Sequence, residues 1–278
     1  MSMEASRISA LLEPFLNDGC PTSSAVRDVG TPDAGTRDGG FQPASDVLSP
    51  RQLEQISTYI DLLLRWNARI NLTAIRAPEE IVTRHFGESL FLARHLFPNP
   101  NVAPDPDHSK LDARSSTLVA QSSKLVTDLG SGAGFPALPI KIWAPGIHLI
   151  MIESNQKKAT FLREATRALT LTNVDVIAER AESVADRIQR PPNAGSPTPL
   201  PSATAFTPAD VVTFRAVEKF TQILPIAEKL LTPSGLLALL VTEAQLHTLR
   251  TIQSMAWRTI HIPQSHSRNL TLGRPITI

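Results

Sequence analysis

The segment Leu125-Val-Thr-Asp-Leu-Gly-Ser-Gly-Ala-Gly-Phe-Pro136 limits what this chain can fold into more than any other. An apolar, strand-like run enters a turn at Gly130, Gly132 and Gly134, and Pro136 suits the first turn of a following helix. A turn of this kind brings backbone close to a ligand beyond the strand's carboxyl end. The next apolar run ends in Glu153, about twenty residues further on, where a carboxylate can accept hydrogen bonds from a ribose diol. Glycines at strand–helix junctions also arise for steric reasons alone. The carboxylate and the β-α-β context are what point this turn toward an adenosine-like ligand.

From Lys124 onward, apolar runs at 125–129, 147–153, 174–178, 211–214 and 236–241 alternate with helix-like stretches. That alternation predicts an α/β fold, a parallel sheet with helices on both faces. Before it, Leu53, Ile56, Ile60, Leu63 and Leu64 recur at helical spacing. A second helix is predicted from Pro78-Glu79-Glu80 to about His95, because proline suits the first position and carboxylates suit the positive end of the dipole. Stretches dense in Gly, Pro, Ser and Thr break the pattern three times. The predicted organisation is a flexible leader over 1–50, a helical subdomain over 51–97, an insertion or linker over 98–123, and a sheet domain over 124–278 carrying a Pro-rich insertion at 189–208.

A net charge of +1 provides no global field toward nucleic acid, so any RNA contact must come from a local basic patch. The single cysteine, Cys20, excludes an internal disulfide framework and a Cys-rich zinc site. It fits a reducing compartment, and no metal site is expected. No apolar run approaches the roughly 18 residues needed to span a bilayer, and no secretory pattern opens the chain, so a cytoplasmic location without a membrane partner is expected.

Dinucleotide binding is the nearest rival for the glycine turn. That fingerprint wants its third glycine where Phe135 stands, at a point of close helix–strand approach. The G-x-G-x-G spacing, with Asp128 just before it, instead resembles motif I of class I S-adenosylmethionine-dependent methyltransferases. Two further segments face the same sheet edge. Ala178-Glu-Arg-Ala-Glu182 reads either as an adenine contact or as a solvated helix start. Arg215, ending the fourth strand, reads either as a cation beside the crevice or as half of a surface ion pair.

An ordered set of motifs resembles the bacterial 16S ribosomal RNA guanine-N7 methyltransferases, the glucose-inhibited division protein B family. These are Trp66-Asn67 with Ile70-Asn71-Leu72-Thr73, Arg84-His85 with Glu88-Ser89, and Asp128 through Pro136. Glu153-Ser154 with Lys157-Lys158 and Phe161-Leu162, then Phe214-Arg215-Ala216, complete the set. The resemblance implies an N-terminal helical subdomain on a Rossmann-like, seven-stranded methyltransferase sheet. It implies S-adenosylmethionine contacts at Gly130, Phe135, Ala181, Glu182 and Arg215, with Glu153 as ribose partner, and the glycine turn adds Gly132 and Gly134 to the expected cofactor site. The Lys-Gly pair common in the family after the fifth strand is absent, since Leu240-Val241-Thr242-Glu243-Ala244 stands there.

Guanine N7 carries a free lone pair, so attack on a sulfonium methyl needs alignment and no prior deprotonation. In agreement, the chain has no Asn-Pro-Pro-Tyr segment, and no general base is assigned. Arg215 is the residue expected to position cofactor and guanine. Arg65, Arg69, Arg84 and His85 are candidate RNA phosphate contacts, although helices also carry such arginines as solvated surface and His85 also reads as a packing residue. The expected partner is 16S ribosomal RNA or the small ribosomal subunit, engaged by a monomer. Two rivals stand beside this: a methyltransferase of the same fold with another substrate, and a non-catalytic RNA-binding assembly factor.

Overall fold

All five residues of β1 (Leu125–Leu129) are buried, as a central strand covered on both faces requires. The computed structural model describes residues 3–17, 47–98, 124–189, 207–215, 219–265 and 267–276. Cys20, most of the predicted leader, and the bulk of the 98–123 and 189–208 segments lie outside them.

Around β1 stand β2 (His148–Ile152), β3 (Val174–Ile177), β4 (Ala209–Arg215) and β5 (Leu231–Thr242), all parallel. The sheet has seven strands in the order β3-β2-β1-β4-β5-β7-β6. Its last two members, β6 (Met255–His261) and β7 (Arg268–Pro275), form an antiparallel hairpin, with β7 inserted beside β5. Strand β5 starts earlier than the apolar run 236–241 predicts. Leu231 already pairs with Ala209, and the intervening Thr-Pro-Ser-Gly is accommodated where the register shifts.

Period-2 alternation sorts the strand residues onto two faces. Val126, Leu149, Met151, Val211, Ala238 and Leu240 join one apolar cluster, whereas Leu129, Ile150, Ile152, Val212, Phe214 and Leu239 join the other. The second face is covered by α7 (Ala181–Gln189), α8 (Phe220–Lys229) and α9 (Glu243–Arg250). The first is covered by α5 (Ala137–Trp143), α6 (Gln156–Ala168) and the N-terminal helices, which share that one core.

Among these, α2 (Pro50–Asn67) opens with a reciprocal capping box between Ser49 and Gln52 and with proline in its first turn. The helix predicted from Pro78 is continuous to Leu96 but not uniform. A short α3 (Pro78–Glu80) passes into a π-helical turn, Ile81–Gly87, and then into α4 (Glu88–Leu96).

The expectation of a flexible leader over 1–50 does not hold at its start. Residues Ala5–Leu16 form helix α1, which buries Ile8, Leu12, Phe15 and Leu16. Those four lie on one helical stripe, enough to dock a short helix even though the composition of the following segment argues against a core. The contact is close. A Cβ on Gly87 would stand 2.6 Å from the Phe15 ring, so glycine in the π turn lets α1 seat there.

Candidate functional site

Strand order reverses direction between β1 and β4, and a sheet of this kind opens its ligand crevice at such a switch point, beyond the strand carboxyl ends. The glycine turn, Glu153 and Arg215 all lie at that edge. Gly130, Gly132 and Gly134 have φ of 64°, 55° and 85°, in the left-handed region. The Gly130 amide donates to the Ile152 carbonyl at 2.8 Å, so the loop is tied to β2. The Gly132 amide donates to Oε2 of Glu153 at 2.8 Å, and the Asn155 amide donates to Oε1 at 2.8 Å. Glu153 is buried and thus braces the loop as well as facing the crevice.

Asp128, the last-but-one residue of β1, is 1 % exposed, and neither of its carboxylate oxygens has a hydrogen-bond partner in the described structure. Burial, reinforced by the nearby Glu153 charge and opposed by Ser131, pushes its carboxyl up to about 7. A buried, orphaned carboxylate is costly unless something cationic or hydrogen-bonding completes it.

Phe135 lies against an aromatic wall built by the N-terminal helices. Its ring is near-parallel to Tyr59 (5.2 Å, 8°) and to His85 (4.7 Å, 21°), and edge-on to Phe86 (5.1 Å, 84°). Tyr59 also donates its hydroxyl to the Ala133 carbonyl, clamping the loop from above. Sequence reasoning missed Tyr59, although its place on the buried stripe of α2 and its polar tip were a usable signal.

Arg215 ends β4 in a buried position. Its Nη2 lies 3.0 Å from His85 Nδ1 and 3.4 Å from Glu88 Oε2, whereas Nη1, also buried, has no partner among the described residues. Arg268 of β7 shares the same Glu88 oxygen at 3.4 Å. Burial first, then Arg268 and Arg84, push the Arg215 guanidinium down to about 10, with Glu88 opposing; it stays charged at neutral pH. Arg215 is therefore not half of a surface ion pair. Sequence reasoning gave its buried counter-ion, Glu88, no role beyond a place beside Arg84-His85.

His85 corrects one expectation. It is buried, with both ring nitrogens engaged, and burial followed by the charges of Arg215, Arg268 and Arg84 pushes it down to about 3. A neutral, enclosed imidazole cannot grip an RNA phosphate, so the packing alternative holds. Arg65 and Arg69 are exposed on and just after α2, and Arg84 is exposed but paired with Glu80 at 3.0 Å. Ala181 is buried at the start of α7 beside an exposed Glu182. Among the described residues no acidic, histidine or cysteine cluster could hold a metal, and no helix is long and apolar enough to cross a membrane.

Comparison with known proteins sharpens the picture. A family model described as rRNA small subunit methyltransferase G matches residues 52–103 and 108–268. The Ribosomal RNA small subunit methyltransferase G of Chloroflexus aggregans is 34 % identical over 239 residues, covering 81 % of this chain and 82 % of that protein. The protein of the same name from Bacillus pumilus is 30 % identical, covering 71 % and 67 %. With the Bacillus subtilis counterpart, identity is 36 % over 140 residues, and the match spans about half of that protein (49 %). Among solved structures, an O-methyltransferase from Bacillus cereus in complex with SAH superposes with a TM-score of 0.51 at 14 % identity, covering 84 % of this chain and 94 % of that one. That likeness shows the class I methyltransferase fold.

Proposed function

The chain belongs to the rRNA small subunit methyltransferase G family, and from that premise we propose that it methylates N7 of a guanine in 16S ribosomal RNA, with S-adenosylmethionine as donor. The observation that carries the donor assignment is the orphaned Asp128 carboxylate beside three left-handed glycines at the switch point. The donor is cationic at its sulfonium and at its amino group, so it suits a buried carboxyl group that no described residue pairs, and its charge would favour the ionised form. Gly130, Gly132 and Gly134 would line its close approach, Glu153 would hold the ribose, and Ala181 and Glu182 would border the adenine. Phe135 would serve through its place in the loop, its ring being packed into the aromatic wall.

Bound there, S-adenosylmethionine supplies an electrophilic methyl group. What remains for the chain is alignment. Neutral guanine presents N7 and O6 as acceptors, so a donor aimed at O6 orients the base without a proton leaving it. Arg215 Nη1, charged, buried and without a partner among the described residues, would be that donor once the base displaces what covers it. His85, neutral and already hydrogen-bonded on both nitrogens, is not a base for this reaction, and none is required. Arg65, Arg69 and Arg84 would meet phosphates from the exposed side, setting register without reading sequence. The enzyme would act as a monomer in the cytoplasm on the small subunit or its RNA.

The test is transfer of a tritiated methyl from the donor to 16S RNA, followed by mild reduction and aniline. Methylation at N7 makes the guanine cationic and labile, so the chain should break at the modified residue. A methyl found by mass spectrometry on an exocyclic amine or ribose oxygen would remove the N7 assignment and leave the donor site standing. No transfer at all would favour an assembly role.

A further inference from the structure

A chain of hydrogen bonds connects the Trp66–Thr73 segment to Arg215. Asn67, buried at the end of α2, accepts the Leu72 amide at 2.9 Å and the Thr73 amide at 3.0 Å through Oδ1, and its Nδ2 donates to the Thr73 carbonyl at 2.9 Å. These three bonds fold the chain after the helix into one fixed turn. The Thr73 hydroxyl accepts the Ile75 amide at 3.1 Å and lies 2.7 Å from His85 Nε2. His85 Nδ1 in turn lies 3.0 Å from Arg215 Nη2, a contact spanning 130 residues of sequence.

Hydrogen-bond chemistry assigns the direction of this chain. A guanidinium only donates, so Nδ1 must accept, the ring proton must sit on Nε2, and Nε2 must donate to Thr73. The ring lies flat against Phe135, so it cannot swing away without breaking the aromatic wall. The charged groups around it are Arg215 from β4, Arg268 from β7, Arg84 on its own π turn, and Glu88 one residue beyond that turn. With three cations against one carboxylate, and with the ring buried, a second ring proton is strongly disfavoured. The acceptor therefore persists across the working pH range.

We infer that Asn67, Thr73 and His85 are a positioning relay that holds Arg215 in one orientation through Nη2, with the buried Nη1 left unpaired for the substrate base to meet as it seats, and with His85 accepting through Nδ1. This rests on the reading that Arg215 serves the guanine. None of the three residues touches the reacting atoms.

The test uses the full-length enzyme and two substitutions that both lose the ring. His85→Asn keeps an acceptor oxygen at the δ position toward Arg215, whereas His85→Gln carries its amide at the ε position toward Thr73 and leaves a carbon where Nδ1 stood. The expected result is a kcat on 16S RNA lowered about 10- to 100-fold in His85→Gln, the span of one charge-assisted hydrogen bond. Partial recovery in His85→Asn and an unchanged donor Kd in both should accompany it. Should both variants fold poorly, Thr73→Val should lower kcat several-fold at unchanged donor Kd, and Thr73→Ser should restore it. Independently of activity, 15N shifts of the His85 imidazole should report a bare Nδ1 and a protonated Nε2 from about pH 5 to about pH 8. An imidazolium or the opposite tautomer in that range would overturn the relay. So would an inactive Arg215→Ala variant alongside equally active Gln and Asn variants at position 85. Full activity in Arg215→Ala would instead overturn the assignment of Arg215 to the guanine, and the relay's purpose with it.

Discussion

The amide of Gly132 donates to the carboxylate of Glu153 at 2.8 Å, so the loop and the acidic residue facing it form one unit. Both Glu153 oxygens already accept backbone amides, from Gly132 and Asn155. Each oxygen still has a lone pair for a ribose hydroxyl. Glu153→Ala should therefore weaken S-adenosylmethionine binding by about 1–3 kcal/mol or more, since loop bracing and ligand contact are lost together. Calorimetry on the two proteins decides this; equal affinities would place the ribose contact elsewhere.

Gly132 and Gly134 should separate by phenotype. A Cβ on Gly134 would stand 2.5 Å from the Tyr59 hydroxyl and 2.7 Å from Leu138, so Gly134→Ala should lower the melting temperature. A Cβ on Gly132 meets nothing nearer than 3.7 Å. Gly132→Val should therefore keep the fold, at the modest cost of a left-handed β-branched residue, and lose donor binding because its side chain fills the crevice. A Gly132→Val protein that binds the donor as well as wild type does would remove the loop from the site.

Asp128 predicts opposite effects on stability and on binding. Its carboxyl is raised from 3.8 to about 7 in the folded protein, so the folded state holds a proton that the unfolded chain has already lost. Stability from this group is thus greatest below 3.8 and declines as pH rises toward about 7. Asp128→Asn should flatten that decline and raise the melting temperature of the ligand-free protein near neutral pH. The same variant should bind the donor more weakly, having lost the anion that meets its cationic groups. Denaturation curves across the pH window, with calorimetry at its top, test both; a variant less stable than wild type at neutral pH would show that Asp128 is not a buried burden.

Helix α1 should be needed for stability. Phe15 is 2 % exposed and packs against Gly87 in the turn that carries His85. Phe15→Ala should cost about 3–5 kcal/mol, the usual range for deleting a buried aromatic side chain. Chemical denaturation measures it. An unchanged midpoint would mean that the N-terminal segment is as dispensable as its composition suggests.

What the sequence by itself determined is whatever depends on neighbours along the chain. Short apolar runs marked β1 to β4 within a residue or two, because a strand buried on both faces reads as a nearly continuous apolar run whatever lies elsewhere in the chain. The spacing of Gly130, Gly132 and Gly134 marked the ligand turn, because three left-handed positions close together at a strand end favour glycine. Helix α1 was hidden by the low-complexity stretch after it, and the start of β5 by a Thr-Pro-Ser-Gly interruption that only pairing with β4 reveals. The tertiary structure alone decided which charges meet. His85 reaches Arg215 across 130 residues and Arg268 reaches Glu88 across 180, and no periodicity records either pair. Those meetings decide whether His85 is a surface cation or an enclosed acceptor, because desolvation and opposing charges set a proton's affinity only once the fold has brought them together.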